Sequence, residues 1–281
     1  MAKKNEVAEV KPGAVVARGV QEQLPAHIRQ GEVAGAETLM QFVRPPRVKV
    51  VQKTAHEPIS TMFNTGDVIL VPNMHRIAEM VYTNNKPAEQ GPSLSLVPIF
   101  FFPEWIGWEP IERKGSSPAV FDRSTDPNSV VALRAKDPSK WAEKVGEVQG
   151  QPIFRRYCEH LNFVVRFLGD GMPDELCVLS FSRASHKHGS SFARILHQRK
   201  ADIWGCVFDA FSKFEKNSKG DWYALNITNP AGGSPWVQDP EMYAAFGKEH
   251  EALKAAHAAG LIDVNHEDEE ERPGSGGDTE Y

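Results

Sequence analysis

The chain has 281 residues, of which 41% are hydrophobic, and a formal net charge of −5. That is enough apolar material for one large domain or two small ones with a real core. It contains no run of about eighteen apolar residues, since the greasiest stretch, Leu94 to Ile106, is interrupted by Pro98, Pro103 and Glu104, so no membrane span is expected.

Residues 1 to about 44 are polar, with helical potential only in the AETLMQFV stretch, and read as a mobile arm. No apolar segment follows the lysines of MAKKNEVAEVKPG, so a cytoplasmic location is expected. Pro45-Pro46 stops any helix, and Arg47 to Gln52 then alternates charge with β-branched residues as a half-buried strand does. The folded body begins there. Gly66-Asp67 turns the chain into a second strand, Val68 to Val71. Ser95 to Trp108 is dense in β-formers and aromatics, with Pro98 and Pro103 pointing to an edge or a bend rather than a central strand.

Periodicity is lost between about 112 and 152, which reads as a loop-rich insertion with a short helix at Ser139 to Val145. Strands return at Leu161 to Leu168 and Leu176 to Phe181, joined by the turn residues of Gly169 to Asp174. Ser182 to Lys200 has helical spacing at Phe192, Ile195, Leu196 and Arg199, although Gly189 and Ser190-Ser191 weaken its first turn. A hairpin follows, Cys206 to Phe214 and Trp222 to Ile227, and then a helix from Pro240 to Ala259 with Tyr243, Phe246, His250, Leu253 and His257 near one stripe and Gly260 as its cap.

These elements define a mainly β chain with some α, an α+β class. Three strands, a helix and two strands in that order fit an OB-like barrel over residues 45–229, with the insertion at about 112–152 and a helical segment at 230–262. A disordered acidic tail is expected from Asp263 to Tyr281, where eight acids face Arg272 alone, a charge of −7. By subtraction the remainder carries about +2.

Charge and aromatic residues coincide from Leu176 to Asn229. Eight cations (Arg183, Lys187, Arg194, Arg199, Lys200, Lys213, Lys216, Lys219) stand against Asp202, Asp209, Glu215 and Asp221, with Trp204, Phe208, Phe211, Phe214, Trp222 and Tyr223 interleaved. Cations track a phosphate backbone while exposed rings stack on unpaired bases. Alternation puts Tyr223, Leu225 and Ile227 on an apolar face and Trp222 on the open one; Phe211 shares its face with Asp209 and Lys213. Arg183, Lys187, Arg194, Lys213 and Lys219 are the expected phosphate contacts, and Phe211 and Trp222 the expected stacking rings.

Nothing in the sequence carries an enzyme's signature. P-loop, G-x-G-x-x-G, G-x-S-x-G and H-E-x-x-H motifs are missing, so no catalytic residues and no cofactor are expected. Cys158-Glu159-His160 and His186-Lys187-His188 fall short of a four-ligand zinc set. Cys158, Cys177 and Cys206, an odd count at wide spacings, fit a reducing compartment and a core role.

The stretches LCVLSFSRASHKHG and CVFDAFSKFEKNSKGDWYALNI, with Asn217, Gly220, Trp222 and Tyr223 in the second hairpin, resemble phage proteins related to the single-stranded DNA-binding proteins of T7-like phages. RVKVVQK, GDVIL and VPIFFFPEWIGWEP extend the resemblance, as does an acidic tail closing on an aromatic residue. It implies an OB-type fold, single-stranded DNA binding in phage replication and recombination within the host cytoplasm, and a tail that contacts replication proteins such as DNA polymerase or helicase-primase. Glu269, Glu270, Glu271, Asp278, Glu280 and Tyr281 are the implied partner-binding residues, Tyr281 standing where a terminal Phe is usual in the T7-like proteins. Two other functions stay open: a virion or assembly protein using the tail and Phe100 to Trp108 for protein contacts, and a metal-dependent DNA-processing enzyme.

Overall fold

The computed structural model describes residues 44–266, apart from 56, 111–118, 149 and 219. In chain order the elements are β1 (Arg47–Val50), α1 (Ile59–Met62), β2 (Val68–Val71), β3 (His75–Ala78), β4 (Tyr82–Thr83), β5 (Lys86–Pro87), β6 (Leu94–Trp108), β7 (Val120–Ser124), α2 (Val130–Lys136) and β8 (Ala142–Val148). They continue with β9 (Gln151–Phe167), β10 (Cys177–Ser182), α3 (His186–Arg199), β11 (Phe208–Asn217), β12 (Gly220–Thr228) and α4 (Pro240–Ala258). The expected α+β class stands.

One sheet dominates, in the order β12-β11-β6-β9-β10-β1-β2-β3, with β7 added to β6 and β8 to β9; β4 and β5 pair separately. Only β1 and β10 run parallel among these pairs. The succession β6, β9, β10, α3, β11, β12 has the expected connectivity of three strands, helix, two strands. The closed barrel does not form. β1 stands beside β10, and no backbone ladder joins it to β12 among the described residues.

The sheet nevertheless curls. β1 and β12 are five places apart in it, yet the Gln52 amide donates to the Tyr223 carbonyl (2.8 Å) and accepts from the Tyr223 N–H (3.1 Å). A side chain carrying both a donor and an acceptor takes the place of a ladder at the seam. Inside the curl, Val48, Leu70, Leu96, Phe163, Leu179 and Phe208 meet the buried Phe192 and Leu196 of α3.

The long central strand β6 corrects the expectation that its prolines mark an edge. β9 pairs with it from Leu96 to Trp108, whereas its other margin meets β11 only at Leu94 to Leu96 and β7 only from Trp105 onward. Pro98 and Pro103 both fall between those two partners, where a missing donor need not break a ladder. Register shifts between Pro98 and Phe100, and this bulge changes the strand's phase. Val97 and Ile99 before it, and Phe100, Phe102 and Glu104 after it, therefore share the outer face. Phe246 of α4 packs on Val97 and Ile99, and Val264 on Phe100 and Phe102.

α4 follows the expected stripe: His250 Nδ1 bonds the Ile99 carbonyl at 2.7 Å, and His257 lies 5.5 and 5.0 Å from the rings of Phe100 and Phe102. The Asp239 carboxylate accepts from the Glu241 and Met242 amides, and Gly260 (φ +69) ends the helix, the Leu261 N–H returning to the Ala256 carbonyl at 2.9 Å. Within 112–152, expected to be loop-rich, the described residues extend the sheet through β7 and β8, with α2 packing Val131 and Ala132 on Trp105 and Tyr157. The helix expected at Ser139 to Val145 gives way to β8, whose pairing with the first half of β9 overrides local propensity.

Gly189 sits in α3 because Phe181 lies against it: a Cβ there would be 2.7 Å from the Phe181 Cβ. Gly189→Ala, a change that stabilises an ordinary helix interior, should here cost about 1–3 kcal/mol by overpacking. Urea unfolding measures it, and a stabilised variant would contradict the packing described.

Candidate nucleic-acid interface

β11 and β12 pair with Phe211 opposite Asn226, Lys213 opposite Ala224 and Glu215 opposite Trp222. The alternate residues Phe208, Ala210, Tyr223 and Leu225 enter the core. The outer face therefore carries Phe211 and Trp222, both half-buried, with Lys213 exposed on the strand between them. The sequence-based sorting of these rings holds.

α3 lies beside β12. At its first turn Lys187 pairs with Glu215 (2.9 Å) and its ammonium stands 5.9 Å from the Trp222 ring centroid, while His188 meets the same carboxylate at 3.0 Å. Burial pushes the Glu215 carboxyl up, but Lys187 and His188 hold it below the usual carboxylate range. His188 is held below its ordinary value because burial outweighs that carboxylate. The basic cluster is thus partly neutralised from within.

The other expected contacts divide. Arg194 is exposed, with no ion pair among the described residues. Arg183 adopts a left-handed φ of +47 in the turn before α3 and lies over Trp108, 5.9 Å from its centroid, beyond the hairpin face. Lys219 and the partner-binding set Glu269, Glu270, Glu271, Asp278, Glu280 and Tyr281 lie outside the described residues. Sequence reasoning missed Lys53, which pairs with Asp221 at 2.5 Å and stands 5.9 Å from the Phe214 ring centroid. Those partners are 168 residues apart, so no local signal could announce them.

A second polar cluster lies on the outer face of β6 and β9. Glu104, 3% exposed, accepts from Arg123 Nε (2.7 Å) and Asn162 Nδ2 (3.3 Å) and meets His266 Nε2 at 3.1 Å. Burial raises its pKa, but the hydrogen bond from His266 and the Arg123 guanidinium overcome this and hold the carboxyl below its ordinary value. Asp263 pairs with Arg123 and, at 2.5 Å, with Arg44. Residues 261–266, of which those from Asp263 on were expected to begin a disordered tail, are instead seated on the sheet with Val264 and His266 buried. The His266 ring lies tilted against His160, 4.4 Å between centroids, and the strand partner of His160, Ser182, immediately precedes Arg183. His266 therefore lies near the residues that lead into α3.

Cys158, Cys177 and Cys206 are free and buried, as expected for core residues, and burial pushes the Cys177 thiol up to about 12. Among the described residues no group of three or more His, Cys, Asp or Glu could hold a metal ion, and no helix is long and apolar enough to cross a membrane.

Comparison with known proteins places the chain among phage proteins. It belongs to the family of Pam3 phage gp34-like proteins, which matches residues 21–259. No curated protein and no solved structure matches it.

A carboxyl held low contributes stability above its unfolded-state value, and that contribution is lost as pH falls through the folded value. Protection of the amides of 261–266 in hydrogen exchange should therefore fall as pH drops below the ordinary carboxylate range, and Glu104→Gln should flatten this acid limb while lowering stability at neutral pH by about 1–3 kcal/mol. An unchanged acid limb in that variant would remove Glu104 from this role.

Proposed function

We propose that this phage protein binds single-stranded DNA without sequence specificity, in replication or recombination. The observation that carries the proposal is the outer face of the β11–β12 hairpin, where Phe211 and Trp222 flank Lys213 and Lys187 stands over Trp222. Rings present a face to any base and cations meet phosphates, so affinity is insensitive to sequence and falls with salt. Arg194 extends the phosphate contacts, Lys219 supplies another, and Arg183 supplies one near the start of α3. His266 and Arg183 both lie against Trp108, which supports a tail that competes with DNA for the cations near the start of α3 and serves replication proteins when displaced.

The assembly-protein alternative loses part of its basis, because Phe100, Phe102, Trp105 and Trp108 are buried and unavailable to a partner. A DNA-processing enzyme would turn over DNA with Mg²⁺, which a gel-shift assay with and without the ion detects.

Fluorescence titration with labelled oligo-dT at two salt concentrations tests the proposal. Phe211→Ala and Trp222→Ala should each weaken binding about tenfold, and Lys213→Ala should reduce the salt slope by about 0.7. A chain ending at His266, which keeps the seated segment, should bind more tightly than the full chain. If that shortened chain shows no salt-sensitive binding, the DNA-binding proposal is lost; equal affinity of the two chains removes only the competition by the tail.

A further inference from the structure

Trp236 lies beyond the hairpin, and its setting is that of a built platform. It is 40% exposed, yet its backbone is pinned on both sides: the Val207 N–H donates to the Pro235 carbonyl and the Val237 N–H to the Gly205 carbonyl, each at 3.0 Å. The Arg199 guanidinium lies between two rings, 4.9 Å from the centroids of both Phe208 and Trp236. It is fixed in turn by donating to the Pro235 carbonyl (3.0 Å) and to Asn229 Oδ1 (2.6 Å). An indole braced in this way has already met the ordering cost that a flexible ring meets on binding.

Its position relative to Trp222 gives the platform a use. Lys187, over Trp222, and Arg199, over Trp236, lie twelve residues apart on α3. At 1.5 Å per residue that is about 18 Å. β12 runs alongside in the same sense, from Trp222 beside Lys187 to Asn229, just past its end, bonded to Arg199. The exposed Arg194 lies between the two ends, with Lys200 exposed at the far one.

The nearby acids are already engaged. Glu215 is paired with Lys187, Asp202 accepts from the Tyr243 hydroxyl at 2.6 Å, Asp209 accepts from Ser95 and the Ala231 amide, and Asp239 caps α4. Flat rings at both ends with cations between suit a ligand that is both anionic and planar, which single-stranded nucleic acid is and an acidic peptide is not.

We infer that Trp236 is a second base-stacking platform, and that a single strand runs along the seam of α3 and β12 from Trp222 to Trp236. This rests on the single-strand-binding proposal above. At about 3.4 Å per stacked nucleotide, roughly five nucleotides separate the two rings.

The test uses the full chain, oligo-dT of four to sixteen nucleotides, and the variants Trp236→Ala, Trp236→Phe and Trp222→Ala. Wild-type affinity should rise stepwise once the oligonucleotide exceeds about six nucleotides. Trp236→Ala should abolish the step and bind a twelve-mer about tenfold more weakly, while Trp236→Phe keeps most of the affinity. Photo-crosslinking of wild type to a twelve-mer carrying iodouracil should label the peptides of both Trp222 and Trp236, a readout that does not depend on any variant folding. If wild type binds but only the Trp222 peptide is labelled and the step survives in Trp236→Ala, the second platform is overturned and DNA binding stands. If wild type binds no oligonucleotide, the underlying proposal has failed.

Discussion

A carboxylate buried to 3% exposure must be compensated, and the compensation of Glu104 ties together parts of the fold far apart in sequence. Arg123 comes from β7, Asn162 from β9 and His266 from beyond α4, each held to the same two oxygens. β7 is thereby fixed to the sheet by side chains as well as by its ladder. The segment after α4 is drawn across Phe100 and Phe102, and His266 is set beside His160. All of this depends on the bulge at Pro98, which turns Glu104 to the outer face. Without the change of phase the carboxylate would point into the apolar interior of the curl.

The interface obeys a different economy. Its cations are not an open field, because Lys187 is committed to Glu215, Arg199 to Asn229 and Lys53 to Asp221. These two ion pairs and one hydrogen bond fix orientation more than they add stability, since exposed ion pairs contribute little. Lys187 ties the first turn of α3 to β11 and Arg199 ties its last turn to Asn229, just past β12, so that the rings beside them keep constant positions. Arg194 and Lys213 remain exposed, as the proposed binding of a polyanion requires.

Much of the local structure was legible because it was written in short-range pattern. β2, an apolar run entered through the Gly66-Asp67 turn, β12, with its alternation, and α4, with its N-cap, stripe and glycine, follow directly from the residues that form them. The separation of Phe211 and Trp222 from Tyr223 and Leu225 needed only a period of two. What could not be read was decided by pairing partners. The insertion became β7 and β8 because β6 and β9 run long enough to offer them ladders, and Pro98 and Pro103 were tolerated because one margin of β6 is open where they fall. The Glu104 cluster and Trp236 were hidden for the same reason: their neighbours come from distant parts of the chain, those of Glu104 from 19 to 162 residues away, and none forms a spaced motif.

The closure by Gln52 gives the curled sheet unequal stiffness. Parting β6 from β9 would break a ladder running from Leu96 to Trp108, whereas parting β1 from β12 gives up chiefly the two bonds of one side-chain amide and the exposed pair of Lys53 with Asp221. At about 0.5–1.5 kcal/mol per hydrogen bond, the second separation costs only a few kcal/mol. The shell is rigid around most of its circumference and compliant along one line, and that line borders the strand that carries Trp222. Breathing motions of the sheet will concentrate there, changing the width of the α3 and β12 surface while leaving the core of β6, β9 and β10 undisturbed.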